Sequence, residues 1–172
     1  RRLVSNYLYN VSYQLLLIML PIVTLPYVSR TLHATGVGTN AWSYSINYYF
    51  VLFATVGLTV YGQREIAIVR DDYERLRKTF WNIEFGSIIM TSISFVAYLT
   101  MILFVPNMPH RTYLLIYSLS ILAVGLDVSW FFSGLEKFKV LSIRNFIVKI
   151  VSVVLIFTLV KSSDDLWLYV LI

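Results

Sequence analysis

Five long stretches of the chain are apolar on every side of a helical wheel: Val4–Leu32, Ala41–Ala67, Phe80–Val105, Tyr113–Phe132 and Ser142–Val160. Short polar segments separate them, and a sixth apolar run begins near Asp165. A bilayer core of about 30 Å takes about 20 residues of helix. The pattern therefore predicts five transmembrane helices and the start of a sixth. A helix of a soluble bundle would keep one polar face, and a barrel strand would alternate polar and apolar residues. Neither pattern is present, so the expected class is an all-α polytopic membrane protein, with residues 1–172 forming a single membrane domain.

Composition sharpens this reading. Hydrophobic residues make up 58% of the chain and charged residues 13%, with a mean hydropathy of +0.73. A soluble domain carries about a quarter charged residues. The net charge of +5 is spread in small clusters between the apolar runs, as in membrane loops, so nucleic acid is not the implied partner. The chain has no cysteine, which removes disulfides, thiolate metal sites and thiol nucleophiles. It opens Arg1-Arg2-Leu3 and closes inside the apolar run Leu166–Ile172, the expected appearance of an N-terminal fragment with the C-terminal remainder missing. The first run is too long, and too poor in small residues at a cleavage position, for a signal peptide.

Charge also gives an orientation. Arg1, Arg2, Arg64, Arg70, Arg75, Arg77, Lys78, Lys137, Lys139, Arg144 and Lys149 fall at one set of helix ends, while Arg30, Arg111 and Lys161 fall at the other. The cation-rich side is cytoplasmic, which puts the N-terminus inside and the loops Thr31–Asn40, Pro106–Arg111 and Lys161–Asp164 outside. Trp42, Tyr44, Tyr48 and Tyr49 gather at an outer end, and Phe80, Trp81, Trp130, Phe131 and Phe132 at inner ends. An interfacial aromatic belt accounts for them most simply; stacking against sugar is the alternative. The longest inner loop, Arg70–Lys78, can pair Asp71 with Arg75 and Glu74 with Lys78 at i,i+4, as in a short surface helix. A weak echo links Gly57–Val60 ("GLTV") with Gly125–Val128 ("GLDV") near the inner ends of the second and fourth helices.

No catalytic constellation stands out, so the chain is not expected to be an enzyme or to need a cofactor. His33 and His110 both lie in outer loops without a carboxylate nearby, a poor metal site. Gly36-Val-Gly38 lacks the third glycine of a dinucleotide site, and there is no P-loop motif. Ionisable residues within the spans are more informative, since each costs about 2.5–3.5 kcal/mol at mid-helix. Asp127 lies five residues before Phe132, about 7–8 Å inside the inner end of the fourth helix. It needs a protein or water-filled surrounding, either in a transport role or in an ion pair with Lys149. Lys149 itself can snorkel from about one turn into the fifth helix. Arg64 and Glu65 can anchor the end of the second helix, and Glu84 repeats the question of Asp127 one turn into the third. Gln14 and Asn47 are amides within spans that must find partners. Pro21 and Pro26 each remove a backbone hydrogen bond from the first helix and predict a bend there.

Taken in order, "LPYVSRTLHATGVGTNAWSYSI", "GLTVYGQREIA", "KTFWNI", "GLDVSWFFSGLEKFK" and "IRNFIVKI" resemble the Wzx-type oligosaccharide flippases of the multidrug/oligosaccharidyl-lipid/polysaccharide exporter superfamily. The resemblance covers essentially the whole chain. It implies most of one lobe of a two-lobe transporter in the bacterial inner membrane. The cargo it implies is an undecaprenyl-diphosphate-linked oligosaccharide, passed from inner to outer leaflet, with other polysaccharide assembly proteins as partners. It marks Arg30, in the stretch matching the family's S-R-x-L-G, as the first substrate-binding residue. Arg64 and Lys149 follow as further cavity bases, and Asp127 as a candidate for ion coupling. His33 stands where that motif has glycine, which puts the turn after the first helix in question. Three alternatives remain: a multidrug exporter of the same superfamily, which would want an acidic cavity; a polysaccharide polymerase, which would want a long outer loop rich in arginine; and a membrane scaffold subunit, for which a buried Asp127 has no purpose.

Overall fold

The computed structural model describes the backbone from Arg2 to Ile172 and the side chains from Met19 onward. Arg1, Arg2 and Gln14, to which the sequence assigns roles, lie outside the described side chains. Among the described residues every regular element is helical: α1 (Arg2–Thr55), α2 (Leu58–Val69), α3 (Tyr73–Phe104), α4 (Arg111–Gly125), α5 (Ser129–Gly134), α6 (Phe138–Leu159) and α7 (Leu166–Leu171). A 3-10 turn, Ser163–Asp165, precedes α7. Among the described residues four stretches are long and apolar enough to cross a membrane: Met19–Val69, Tyr73–Phe104, Arg111–Gly134 and Phe138–Leu159.

The helix ends differ from the expected ones in instructive ways. The outer loop expected at Thr31–Asn40 is absent, because α1 runs through it with one non-helical residue, His33 (φ 55°, ψ 174°). Gly36 and Gly38 therefore lie inside the second arm of α1, residues 34–55, and are not a helix exit. Pro21 and Pro26 keep helical backbone angles; the kink falls at His33. That conformation is essentially restricted to glycine and costs another residue about 1–3 kcal/mol, against about 0.5–1 kcal/mol of extra chain entropy lost by glycine on folding. His33→Gly is expected to stabilise the protein by about 1 kcal/mol, read as a higher unfolding midpoint of the full-length protein in detergent.

The second expected helix stops at Thr55, and two residues with positive φ, Val56 (32°) and Gly57 (71°), separate it from α2. The fourth breaks at residues 126–128 between α4 and α5. These breaks fall on the GLTV and GLDV stretches, which gives the sequence echo a structural counterpart. The expected surface helix at Arg70–Lys78 is instead the first turn of α3. Asp72 caps that turn by accepting the Arg75 N–H (3.1 Å) and pairs with the Arg75 guanidinium (3.2 Å), displacing Asp71. Arg70 reaches Glu136 (2.7 Å) at the end of α5. Val105, extended before Pro106, ends α3.

The chain forms two compact units, residues 39–141 and residues 1–38 with 142–172. The first has two separate apolar clusters. One joins the second arm of α1 with α3 and α4 through Ala54, Tyr98, Ile102, Leu114 and Ile121. The other joins α2, α3 and α5 through Ile66, Ile83 and Trp130. Close approach in the second depends on glycine: a Cβ on Gly62 would lie 2.6 Å from the Trp130 ring, and one on Gly134 would lie 2.7 Å from Ile66. In the other unit Tyr27 fixes the first arm of α1 to the end of α6, donating to the Val160 carbonyl (2.7 Å) and packing on Phe157 (4.5 Å).

Candidate functional site

The four residues singled out as substrate-binding divide evenly between the units: Arg30 and Lys149 in one, Arg64 and Asp127 in the other. Arg30 is exposed near the end of the first arm of α1, while Val28 and Leu32 on either side of it are buried. A spacing of two residues turns its side chain away from that buried face. The Tyr27–Val160 bond sets the level of α6 beside this arm, and Lys149 lies eleven residues before Val160. Along the helix axes Arg30 and Lys149 are thus about 20 Å apart. They do not converge on one group.

Lys149 is not near a helix end. α6 begins at Phe138, four residues earlier than expected, which leaves Lys149 eleven residues from that end and ten from Leu159. Both ends of α6 are about 15 Å from it along the axis. Lys149 is exposed, and Ser142, Asn145 and Ser152 share its face at spacings of three and four. The result is a polar stripe on a span that buries none of its residues. Nothing but this spacing marks the stripe in the sequence, where it sits within an otherwise apolar run.

In the other unit Asp127 occupies the α4–α5 break. It is exposed and accepts the Ser129 N–H (3.0 Å) and the Ser129 hydroxyl, which starts α5. Glu84 on α3 is buried. Arg64 is exposed on α2, two residues from both buried Gly62 and buried Ile66 and thus turned away from α5. Asn47 is 2% exposed and found its partners: its Nδ2 donates to the Tyr117 carbonyl (2.9 Å) and its Oδ1 accepts from Ser120 (2.8 Å). The Tyr117 hydroxyl donates to Asn40 (2.7 Å). Asn40, Tyr117 and Ser120 carried no signal in the sequence, since helix pairing alone brings residues 70 or more apart into register. Among the described residues no group of three metal-ligating side chains occurs.

A family model described as "Polysaccharide biosynthesis protein" matches residues 3–172. The chain belongs to this family. This member is 26% identical over 150 residues to a protein of Escherichia coli (strain K12) described as "Putative O-antigen transporter", a match that covers 86% of the chain and 36% of the relative. It thus spans about a third of the length of that relative. No solved structure matches the polysaccharide biosynthesis family member.

Proposed function

We propose that the chain is part of a carrier that passes a lipid-linked oligosaccharide, of the undecaprenyl-diphosphate type, from the inner to the outer leaflet of the bacterial inner membrane. The observation that carries this reading is Lys149, an exposed cation at the middle of an apolar span. Such a residue is costly unless it faces protein or water, and it marks a path for ions or substrate. A diphosphate on that path satisfies the charge, and the lipid tail remains in the bilayer. The topology that goes with this reading is five spans and the start of a sixth with a cytoplasmic N-terminus, most of one lobe of a two-lobe, alternating-access carrier. Arg30, near the end of the first arm of α1, and Arg64, midway along α2, are the further phosphate-binding candidates, since arginine binds phosphate in bidentate fashion. Asp127, in a helix break, is the group that couples an ion. Discontinuous helices commonly form such sites in transporters. Family membership and the named relative support the transport of polysaccharide precursors.

Deleting the gene should trap lipid-linked repeat units in the inner leaflet, scored by access of a membrane-impermeant lectin or glycosidase to spheroplasts. Restoration by the intact gene supports the reading. Repeat units that reach the outer leaflet without the gene, but stay unpolymerised, would point to a polymerase instead.

A further inference from the structure

The exposed side of α3 changes character along its length in the order of a phospholipid. Its first turns line an open cleft of about 410 Å³ with Glu74, Arg75, Arg77, Lys78, Trp81 and Asn82. Further along, Phe85, Ile88 and Val96 are exposed. Lys78, Trp81, Phe85, Ile88, Ser92 and Val96 follow at spacings of three and four, so one stripe carries them all. Ser92 donates to the Ile88 carbonyl (2.7 Å), which leaves the outer part of the stripe without a free hydroxyl. The buried residues of α3, among them Ile83, Glu84, Thr91 and Tyr98, turn to the packed side.

Charge and level narrow the occupant. Asp72 neutralises Arg75 at 3.2 Å. Glu74 and Lys78, an expected i,i+4 pair, do not meet, and among the described residues neither Arg77 nor Lys78 has an ion-pair partner. The lining therefore sets Arg77 and Lys78 against Glu74, one positive charge in excess. One phosphodiester balances that charge, and a diphosphate exceeds it. The 32 residues of α3 make a rod about 48 Å long, against about 40–45 Å for a bilayer with its headgroup layers. Its first two turns thus lie at headgroup level, and Trp81 follows at the boundary with hydrocarbon, where tryptophan is favoured. The Trp81 indole is held edge-on by Phe80 (5.5 Å), which stacks on Trp130 (5.5 Å) of the second apolar cluster. The wall of the cleft is therefore fixed to the fold.

We propose that this cleft holds the headgroup of an anionic phospholipid with a single phosphodiester, such as phosphatidylglycerol, and that one acyl chain lies along Phe85, Ile88 and Val96. Arg77 takes the phosphate in bidentate fashion and Lys78 as a point charge. Asn82 offers its amide to the glycerol oxygens. A soluble anion has no use for the apolar half of the stripe, and an apolar protein segment has none for the cations. A zwitterionic lipid brings no net charge to balance the excess. The inference needs α3 to span a bilayer and is independent of what the chain transports.

The test uses the full-length protein in a mild detergent, with native mass spectrometry to count bound lipid. The probes are phosphatidylglycerol and phosphatidylcholine with identical acyl chains, and phosphatidylglycerol should bind in preference. A basic residue beside an anionic headgroup contributes about fivefold in affinity, so Arg77→Gln/Lys78→Gln should weaken phosphatidylglycerol binding about 25-fold. Arg77→Lys/Lys78→Arg should stay within a few-fold. Lys137→Gln/Lys139→Gln, which removes the same charge at the start of α6, should leave binding unchanged. Thermal unfolding of each variant identifies any that fail to fold. Equal losses in the two glutamine pairs would reduce the effect to overall charge and overturn the site. Equal binding of the two lipids would do the same, as would displacement of phosphatidylglycerol by excess inorganic phosphate. Undecaprenyl diphosphate outcompeting phosphatidylglycerol at the cleft would also overturn it and make the cleft part of the cargo path.

Discussion

Lys149→Gln is expected to cut surface polysaccharide at least tenfold while the protein accumulates normally in the membrane. Hydrogen bonds to charged groups contribute about 1.5–3 kcal/mol, so loss of one cation from a phosphate-binding path corresponds to about a 10- to 100-fold loss of affinity. The stability of the variant decides what the lysine is for. If Lys149 were half of a fixed buried ion pair, its removal would leave the partner charge alone and cost about 3–5 kcal/mol. If it faces a watered path, its removal takes a charge away from the middle of a span, where it costs about 2.5–3.5 kcal/mol to insert, and the variant is as stable as the parent or more so. Polysaccharide output by gel, with thermal unfolding of the purified full-length protein, reads both quantities. Normal polymer from Lys149→Gln would remove it from the path, and Lys149→Arg should restore at least part of the export.

Gly134→Ala and Gly62→Ala are expected to pull α2 and α5 apart. An added methyl group at Gly134 would meet Ile66 Cβ and Cγ2 at 2.7 Å and the carbonyl oxygen of Gln63 at 2.8 Å, and the last of these is backbone and cannot rotate away. At Gly62 the obstacle is the Trp130 indole at 2.6 Å, itself stacked on Phe80 (5.5 Å). Overpacking typically costs about 1–3 kcal/mol, and Gly134 should lie at the upper end. The double variant should lose less than the sum, since one displacement of the helices relieves both clashes. Gly38→Ala and Gly86→Ala, which meet nothing within 4 Å, are the controls and should be neutral or slightly stabilising. Thermal unfolding measures the losses. Melting temperatures unchanged in the Gly62 and Gly134 variants would show that the interface does not hold the two helices together.

The helical class and the presence of membrane-length apolar helices were legible in the sequence because lipid imposes one requirement over about 20 residues at a time. The count was not, since four such stretches stand among the described residues where five and the start of a sixth were expected. The breaks within spans were not legible either. Val56, Gly57 and residues 126–128 are as apolar as their surroundings except for Asp127, and helix interruption depends on backbone angles that composition hardly records. His33 was read as a difficulty of the helix exit, and the structure places the kink on that residue, with a positive φ. Lys149 was misplaced for a simpler reason. The start of α6 falls among Phe138, Lys139 and Val140, where apolar and basic residues alternate and no capping signature marks the boundary.

One consequence of the two broken spans concerns mechanics. At the level of the breaks α3 alone continues without interruption in the unit 39–141, passing from one apolar cluster to the other. It is the strut of that unit, and the chain turns at 56–57 and 126–128 are its slack joints. The pair α2 and α5, clamped by glycine contacts and joined at the tip by Arg70 and Glu136, is a lever of fixed shape. Load applied to that lever is resisted by the bending stiffness of one helix rather than of three.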